Sequence, residues 1–249
     1  MFGSLSPEKT TAEVKTIIRY SKLKKESRIL DLACGRGRHS IEFGRHKYNV
    51  VGLDYSKVYL EKAARLAKEK KIQDRVSFVR EDMRRFSPRL GLRSFDLVVS
   101  LYNSFGYFSK RSDDQRVLNE AAQVLKPGGF LVLNTLNHAG VEHRLCSLPT
   151  SACLAGLDRW EQHSRNEFFL DRAWYDAKRR EIHVDWHFLD LHTGKDQTYS
   201  FRQNVYSAED IRKMLQKAGF SIVKRWGRLD GEKFMTNSWH QTVLAKKIR

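Results

Sequence analysis

The sequence has little cysteine, no long apolar run and no internal repeat. Its three cysteines, Cys34, Cys146 and Cys153, are odd in number and lack the spacing of a metal site, which argues against a disulfide framework. No stretch approaches the roughly 20 apolar residues that span a bilayer. The first ten residues, MFGSLSPEKT, lack the apolar core of a signal peptide. These absences predict a reduced, cytoplasmic protein that does not contact a membrane.

Positive charge is what the sequence has in excess. Lys and Arg total 46 against 29 Asp and Glu, so the formal net charge is +17 with neutral histidines. Such a basic balance favours acidic partners such as phosphates or nucleic acid, but it does not define a fold. The 249 residues suffice for one large α/β domain with a sizeable core.

Strands and helices alternate along the first half of the chain, which predicts a parallel sheet covered on both faces. The predicted strands are RILDL, NVVGLD, RVSFVRED, FDLVVSLY and FLVLNTL. The predicted helices are TTAEVKTIIRYSKL, RHSIEFGRHK, SKVYLEKAARLAKEKK and SDDQRVLNEAAQVL. Near the end, a helix (SAEDIRKMLQKAG) precedes the strands FSIVKRW and WHQTVLAKK, an ending that suits an antiparallel seventh strand.

Residues 138–205 interrupt this alternation. Three strand patterns with short connections, NEFFLDRAWY, REIHVDWHFLDL and DQTYSFRQNVY, predict an antiparallel meander. We therefore expect residues 1–137 and 206–249 to form one α/β core. Residues 138–205 form an inserted antiparallel sheet that we expect to act as a substrate lid.

Two glycines follow the first predicted strand directly, in SRILDLACGRGRHS (residues 27–40). Ligands of parallel sheets bind beyond the carboxyl ends of the strands. Gly35 and Gly37 would let the backbone approach such a ligand, and the next helix offers free amides. Asp54 ends the second strand, where a carboxylate can accept both hydroxyls of a ribose. The alternative is a tight turn with a solvated aspartate.

A nicotinamide-dependent dehydrogenase would share part of this pattern, since GRGRHS resembles GxGxxG with Ser40 at the third glycine. Asp31, four residues before Gly35, could instead reach a ligand amine. Asp82 and Met83, after the third strand, place an acid and an apolar side chain beside a flat heteroaromatic ring. These features and the antiparallel last strand favour another ligand over a nicotinamide.

The motifs resemble those of class I S-adenosylmethionine-dependent methyltransferases over nearly the whole chain. ILDLACGRG is similar to their first motif, VVGLDYS to the acidic end of the second strand, VREDM to the adenine-binding segment, and LKPGGFLVLNTLN to the turn and strand five. SLYNSFGYF and the meander resemble the small-molecule branch, which includes sugar N-methyltransferases and relatives of glycine N-methyltransferase. The resemblance implies a Rossmann-like, doubly wound, seven-stranded sheet with the meander inserted. It also implies S-adenosylmethionine as cofactor.

The resemblance implies a role for each matching position. Asp31 would orient the methionine ammonium, Asp54 would hold the ribose, and Asp82 would accept the adenine amino group. The other implied cofactor contacts are Ala33, Cys34 and Gly35 at the methionine portion, Tyr55 and Met83 at the adenine, and Leu101 and Tyr102 near the departing methyl. Arg38 and His39, at the start of the next helix, either touch the ligand or face solvent, and we expect them to face solvent. Relatives often carry a further helix before the first strand, where 26 residues suffice for one.

Methyl transfer from a sulfonium is a direct displacement, so orienting the acceptor does most of the work. A base is needed only for a protonated acceptor. The candidate catalytic residues are Tyr102, Asn103 and Tyr107, which follow the fourth predicted strand and could orient the acceptor.

The meander supplies the candidate acceptor contacts, His187 and Arg202. Alternation places His183, Asp185 and His187 on one strand face. Three such side chains can bind zinc or iron, but a solvated face explains them as well, and we expect no metal. The inserted sheet could also join two copies of the chain into a homodimer.

The sequence therefore predicts methyl transfer to a small-molecule amine or hydroxyl. Residues 138–205 hold nine basic against ten acidic residues, which leaves +18 on the rest of the chain. An enzyme acting on nucleic acid would place cations around its active site. An RNA methyltransferase and a nucleotide-binding protein without methyl-transfer activity remain the alternatives.

Overall fold

A seven-stranded sheet forms the centre of the protein. The computed structural model describes residues 6–146, 157–162 and 164–248. The strands of this sheet are β1 (Arg28–Leu32), β2 (Asn49–Asp54), β3 (Val76–Arg80), β4 (Phe95–Ser100), β5 (Leu125–Leu136), β10 (Phe220–Trp226) and β11 (His240–Lys247). Their order is β10-β11-β5-β4-β1-β2-β3, and β11 is antiparallel to both of its neighbours. The predicted fold class is confirmed.

Helices cover the sheet on both faces. They are α1 (Pro7–Ser21), α2 (Arg38–Arg45), α3 (Lys57–Glu69), α4 (Ser87–Leu90), α5 (Arg111–Val124), α6 (His138–Cys146) and α7 (Ala208–Lys217). Serine side chains cap three of them: Ser6 before α1, Ser56 before α3 and Ser207 before α7. Among the helices of the described ranges, none is long and apolar enough to cross a membrane.

The apolar core divides between the two faces because successive strand residues point to opposite sides. Leu30 and Leu32 of β1 pack with the apolar side chains of α5 and α7. Ile29, the residue before Leu30, points to the other face and packs with Val14 and Ile17 of α1. The sheet is therefore packed between α1 on one face and α5 and α7 on the other. The carboxyl ends of the parallel strands β1 to β4 lie on the same side of the sheet.

A second, four-stranded sheet lies between β5 and α7 along the chain. Its strands are β6 (Leu157–Gln162), β7 (Glu167–Asp176), β8 (Glu181–Asp190) and β9 (Lys195–Asn204), all antiparallel in that order. The sequence predicts three of these strands and misses β6, as well as α4 and α6. Six residues with three charges (LDRWEQ) give β6 no clear alternation. Cys153 lies outside the described residues.

Candidate active site

A cavity of about 1280 Å³ lies at the carboxyl ends of β1, β2, β3 and β4. Its lining includes all ten predicted cofactor contacts: Asp31, Ala33, Cys34, Gly35, Asp54, Tyr55, Asp82, Met83, Leu101 and Tyr102. Tyr107 also lines it, whereas Asn103, His187 and Arg202 are not among the described residues that do. Small-molecule sites usually measure about 300–1,000 Å³. At about 1280 Å³ this cavity exceeds that range.

The turn after β1 is held open by a carboxylate from β2. Ala33 and Gly35 have φ values of 53° and 56°, in the left-handed region. The Gly35 amide donates to Oδ2 of Asp54 at 2.8 Å, and the Ser56 amide donates to Oδ1 at 2.8 Å. A Cβ on Gly35 would meet no atom within 4 Å. Asp54 thus joins two strand ends, and the turn faces open space.

Asp31 is a buried carboxylate at the base of this turn, 3% exposed. The Ser40 hydroxyl donates to its Oδ2 at 2.6 Å. Burial raises the pKa of Asp31, although His39 and the Ser40 hydrogen bond oppose the rise. Burial and the charges of Asp31 and Asp54 raise the pKa of the Cys34 thiol, which therefore stays protonated. Position 40 therefore carries a hydroxyl that binds Asp31, whereas the third glycine of a dinucleotide fingerprint has no side chain at this position.

Glu13 of α1 connects three elements at the cavity wall. Its carboxylate, 2% exposed, lies 3.1 Å from an Arg38 nitrogen and 3.0 Å from His39 Nε2. It also accepts the Tyr102 hydroxyl at 2.8 Å, and Arg38 donates to Thr10 Oγ1 at 2.6 Å. Arg38 and His39 therefore turn inward to line the cavity, and the expectation that they face solvent is wrong. Their partner lies in α1, which the local sequence does not reveal.

The charges of this cluster set the protonation of Glu13 and Tyr102. Burial favours a higher pKa for Glu13, but the hydrogen bond and charge of His39, with Tyr102 and Arg38, outweigh it and lower the pKa. Burial and the Glu13 charge raise the pKa of Tyr102 to about 12. Tyr102 is thus a protonated donor at neutral pH and is unsuited to be a general base.

The turn after β4 has two consecutive non-glycine residues in the left-handed region, Tyr102 (φ 54°) and Asn103 (φ 59°). The Ser104 amide donates to the Leu101 carbonyl across it at 3.3 Å. Such conformations cost about 1–3 kcal/mol each and persist where the surroundings impose them. The backbone here is therefore held by its neighbours.

The Asn103 side chain lies against His240 of β11, with Nδ2 and Nε2 3.2 Å apart. Burial, then the charges of Arg228, Lys9 and Arg144, lower the pKa of His240 to about 4. The imidazole is neutral at neutral pH. Asn103 Oδ1 is buried and has no hydrogen-bond partner within the described part of the chain.

Asp82 is ionised at the other end of the cavity. Arg84 reaches it with two side-chain nitrogens, 3.0 Å from Oδ1 and 2.6 Å from Oδ2. These hydrogen bonds lower the pKa of Asp82. Arg84 also reaches Asp113 of α5 at 3.2 Å, so the segment that carries Asp82 is fixed to the core.

The inserted sheet contacts the turn after β4 through one face. Residues directly paired across strands share a face, and Phe201 is paired with Val184 while Gln203 is paired with Ile182. The Phe201 ring lies 5.7 Å from that of Tyr107, and Gln203 Nε2 donates to the Asn103 carbonyl at 2.7 Å.

The candidate acceptor contacts lie on the opposite face. His187 bonds to Thr198 at 2.9 Å, and Arg202 lies 3.5 Å from Glu181. Neither residue is among the described residues that line the cavity, because alternation shows which residues share a face but not which face turns to the site. His183 stacks on Trp174 with ring centroids 5.2 Å apart. Within the described ranges, no group of three His, Cys, Asp or Glu could hold a metal.

Comparison with known proteins agrees with this geometry. A family model described as a methyltransferase domain matches residues 29–129. YqeM of Bacillus subtilis (strain 168), which is provisionally named a methyltransferase, is 32% identical over 204 residues, 80% of this chain and 76% of that protein. The chain belongs to the methyltransferase family. The predicted class, the S-adenosylmethionine-dependent methyltransferases, is confirmed at this level.

Two relatives of stated specificity match a shorter region. A glycine/sarcosine N-methyltransferase of Parasynechococcus marenigrum is 34% identical over 127 residues, 51% of this chain and 44% of that one. A dTDP-3-amino-3,4,6-trideoxy-alpha-D-glucopyranose N,N-dimethyltransferase of Streptomyces venezuelae is 32% identical over 122 residues, 49% and 47% of the two chains. The match therefore spans less than half the length of each relative.

Solved structures of methyltransferases share the fold over almost the whole chain. The CcbJ methyltransferase from Streptomyces caelestis superimposes with a TM-score of 0.80 at 18% identity, covering 96% of this chain and 90% of that one. The sugar N-methyltransferase KedS8 from Streptoalloteichus gives a TM-score of 0.69 at 18% identity, covering 97% and 88%.

Sequence motifs do not identify several polar residues that position the site of this methyltransferase. Glu13 and His240 lie 89 and 137 residues from the turn residues that they contact, and Gln203 lies 100 residues from Asn103. Glu13 and Gln203 stand neither beside a glycine motif nor at a strand end of the core, and His240 begins β11 without a motif to mark it. Among these polar residues, only Ser40 is marked in the sequence, because it departs from the glycine pattern.

Proposed function

We propose that this methyltransferase transfers the methyl group of S-adenosylmethionine to a small-molecule amine or hydroxyl by direct displacement. The observation that carries the proposal is a cavity at four adjacent strand ends whose lining includes all ten cofactor positions implied by the resemblance. Its size supports simultaneous binding of donor and acceptor.

Three carboxylates are proposed to recognise the donor. Asp31 faces the methionine ammonium, Asp54 the ribose hydroxyls and Asp82 the adenine amino group. Asp54 is already fixed by two backbone amides, and the ionised Asp82 is fixed by Arg84. The open space beside Gly35 fits the methionine portion, and Met83 and Tyr55 supply the apolar walls for adenine.

The residues of the turn after β4 are proposed to orient the acceptor. Bound S-adenosylmethionine supplies an electrophilic methyl on a sulfonium, so alignment is the main requirement. Tyr102 remains protonated and directs its hydroxyl to Glu13, so it shapes the wall without taking a proton. Tyr107, 45% exposed on the cavity, and Asn103 remain the candidates for acceptor contact. This geometry favours an acceptor that arrives with its nucleophilic lone pair free.

Residues 138–205 are proposed to form the acceptor-side lid. The contact of Phe201 with Tyr107 supports this role. The relatives whose names specify glycine, sarcosine and an amino sugar support nitrogen as the methylated atom.

Calorimetry with S-adenosylmethionine, its demethylated product and NAD tests donor recognition. We expect both adenosyl compounds to bind with micromolar affinity and NAD not to bind. Incubation with methyl-labelled S-adenosylmethionine and a metabolite extract, beside a parallel RNA extract, tests the acceptor class. Preferential NAD binding, or label transferred to RNA alone, would contradict the proposal.

A further inference from the structure

Gln203 of β9 is buried against the turn after β4. Gln203 is 5% exposed and lies in the last strand of the inserted sheet. The Nε2 group donates to the carbonyl oxygen of Asn103 at 2.7 Å and to that of Phe105 at 2.8 Å. One side-chain amide therefore uses both of its N–H groups to hold two carbonyls of the same turn.

The next residue continues the contact. The Asn204 amide donates to the Gly106 carbonyl at 2.7 Å, and its Nδ2 donates to the Phe108 carbonyl at 2.8 Å. Asn204 Nδ2 also lies 2.9 Å from Oδ2 of the buried Asp114. A Cβ on Gly106, whose φ is 104°, would stand 2.6 Å from the Asn204 carbonyl oxygen. We call Gln203 and Asn204, with these bonds, the β9 clamp.

The held turn is the one with two left-handed residues, Tyr102 and Asn103. L-residues leave this conformation unless neighbours impose it. Glu13 holds the Tyr102 hydroxyl, and Asn134 accepts the Tyr102 amide at 3.1 Å. For Asn103, the backbone carbonyl is held by Gln203 and the side chain meets His240.

We propose that Gln203 is a positioning residue for methyl transfer, which fixes the turn after β4 so that Tyr107 lines the cavity and the Asn103 side chain stays against His240. The inference rests on the proposed function, because it assigns this turn to the acceptor. Gln203 is not among the described residues that line the cavity, so it acts through the turn. The inserted sheet thereby sets the shape of the acceptor side from behind.

The test replaces the amide without emptying its space. Gln203→Met keeps the side-chain length but cannot donate, and Gln203→Asn keeps an amide too short for both carbonyls. Gln197→Met is the matched control, since Gln197 is exposed on the same face of β9. Hydrogen exchange of the peptide covering residues 101–109 is measured on the full chain without any ligand. The His240 titration is followed by NMR, with its signal assigned from His240→Gln.

We expect Gln203→Met to raise exchange in this peptide about tenfold through local opening, with Gln203→Asn intermediate and the control unchanged. The pKa of His240 should rise from about 4 toward its ordinary value as the turn relaxes. Affinity for S-adenosylmethionine should stay within about twofold of the parent, and kcat should fall once an acceptor is known. Unchanged exchange in Gln203→Met would overturn the inference. Increased exchange throughout the chain, with weaker donor binding, would also overturn it by showing a general structural role.

Because the exchange experiment needs neither donor nor acceptor, its outcome is independent of the proposed function. If hydrogen exchange shows that the β9 clamp holds the turn but calorimetry shows no binding of S-adenosylmethionine, the proposed function is refuted and the clamp stands.

Discussion

The Ser40 hydroxyl donates a 2.6 Å hydrogen bond to Oδ2 of Asp31 and so connects the first turn of α2 to the interior of β1. The bond stabilises the ionised carboxylate in a place where burial opposes ionisation. At the same position a dinucleotide fingerprint has a glycine. The residue that departs from the glycine pattern is thus the one that supports the carboxylate.

Replacing Ser40 with glycine should weaken binding of S-adenosylmethionine. The variant loses a hydrogen bond to a charged group, worth about 1.5–3 kcal/mol, and the pKa of Asp31 rises further. We expect the dissociation constant to increase about tenfold or more by calorimetry. Ser221→Ala, at an exposed position of β10, is the control. Gain of NAD binding by the glycine variant would contradict our assignment of this site.

Asp54→Ala should weaken the same binding at least about tenfold, because a charge-assisted pair of hydrogen bonds to the ribose is lost. The Gly35 and Ser56 amides also lose their acceptor, so the turn after β1 should loosen. The control is Asp96→Ala, which removes a carboxylate near the amino end of β4, at the opposite end of the strands from the cavity. An unchanged affinity in a folded Asp54 variant would show that the carboxylate does not meet the donor.

Glu13→Ala should destabilise the protein more than any surface change in α1. Removal of the carboxylate leaves Arg38 and His39 without their buried partner, and losses of this kind reach about 3–5 kcal/mol. Urea unfolding measures the effect, with exposed Glu8→Ala on the same helix as the control. Glu13→Gln should retain acceptance of the Tyr102 hydroxyl and lose less. Equal stability of the Glu13 and Glu8 variants would exclude a structural role for the cluster.

His240 should make stability depend on pH in a defined direction. Its folded pKa of about 4 lies below the ordinary value of 6.5, so the unfolded chain binds the proton more readily in this range. The contribution of neutral His240 to the free energy of unfolding is therefore complete above pH 6.5. It is lost as the pH falls toward 4, by an amount on the order of 3 kcal/mol. Urea unfolding of His240→Gln between pH 7 and pH 4 should show a shallower loss than the parent. His192→Gln, exposed in the hairpin between β8 and β9, should follow the parent curve.

The core sheet could be predicted from the sequence because each strand carries a strong local signal. Runs such as those that contain Leu30 and Val98 are buried on both faces, and the glycine turn marks where the first strand ends. Asp31, Asp54 and Asp82 then fall at adjacent strand ends by the topology of a parallel sheet alone.

The rest depends on contacts that local patterns do not encode. Helix α6 was missed because its nine residues include Gly140, which packs against the backbone at Ser238. The alternation of β8 and β9 separates His187 from Phe201, but only the tertiary placement of the sheet decides which of them meets Tyr107. The link between Asn103 and His240 joins the middle of the chain to its last strand.

That last strand governs the order in which the nascent protein can be completed. β11 lies between β5 and β10. Asn134 of β5 donates from Nδ2 to Thr242 Oγ1 of β11 at 2.9 Å, and its Oδ1 accepts the Tyr102 amide. During synthesis β5 must wait for β11 for roughly 5 to 20 seconds, at a rate of about 5–20 residues per second. Until then β5 lacks the strand that covers this edge in the folded sheet. The turn after β4 therefore gains its final support, through Asn134 and Thr242, only when β11 has emerged.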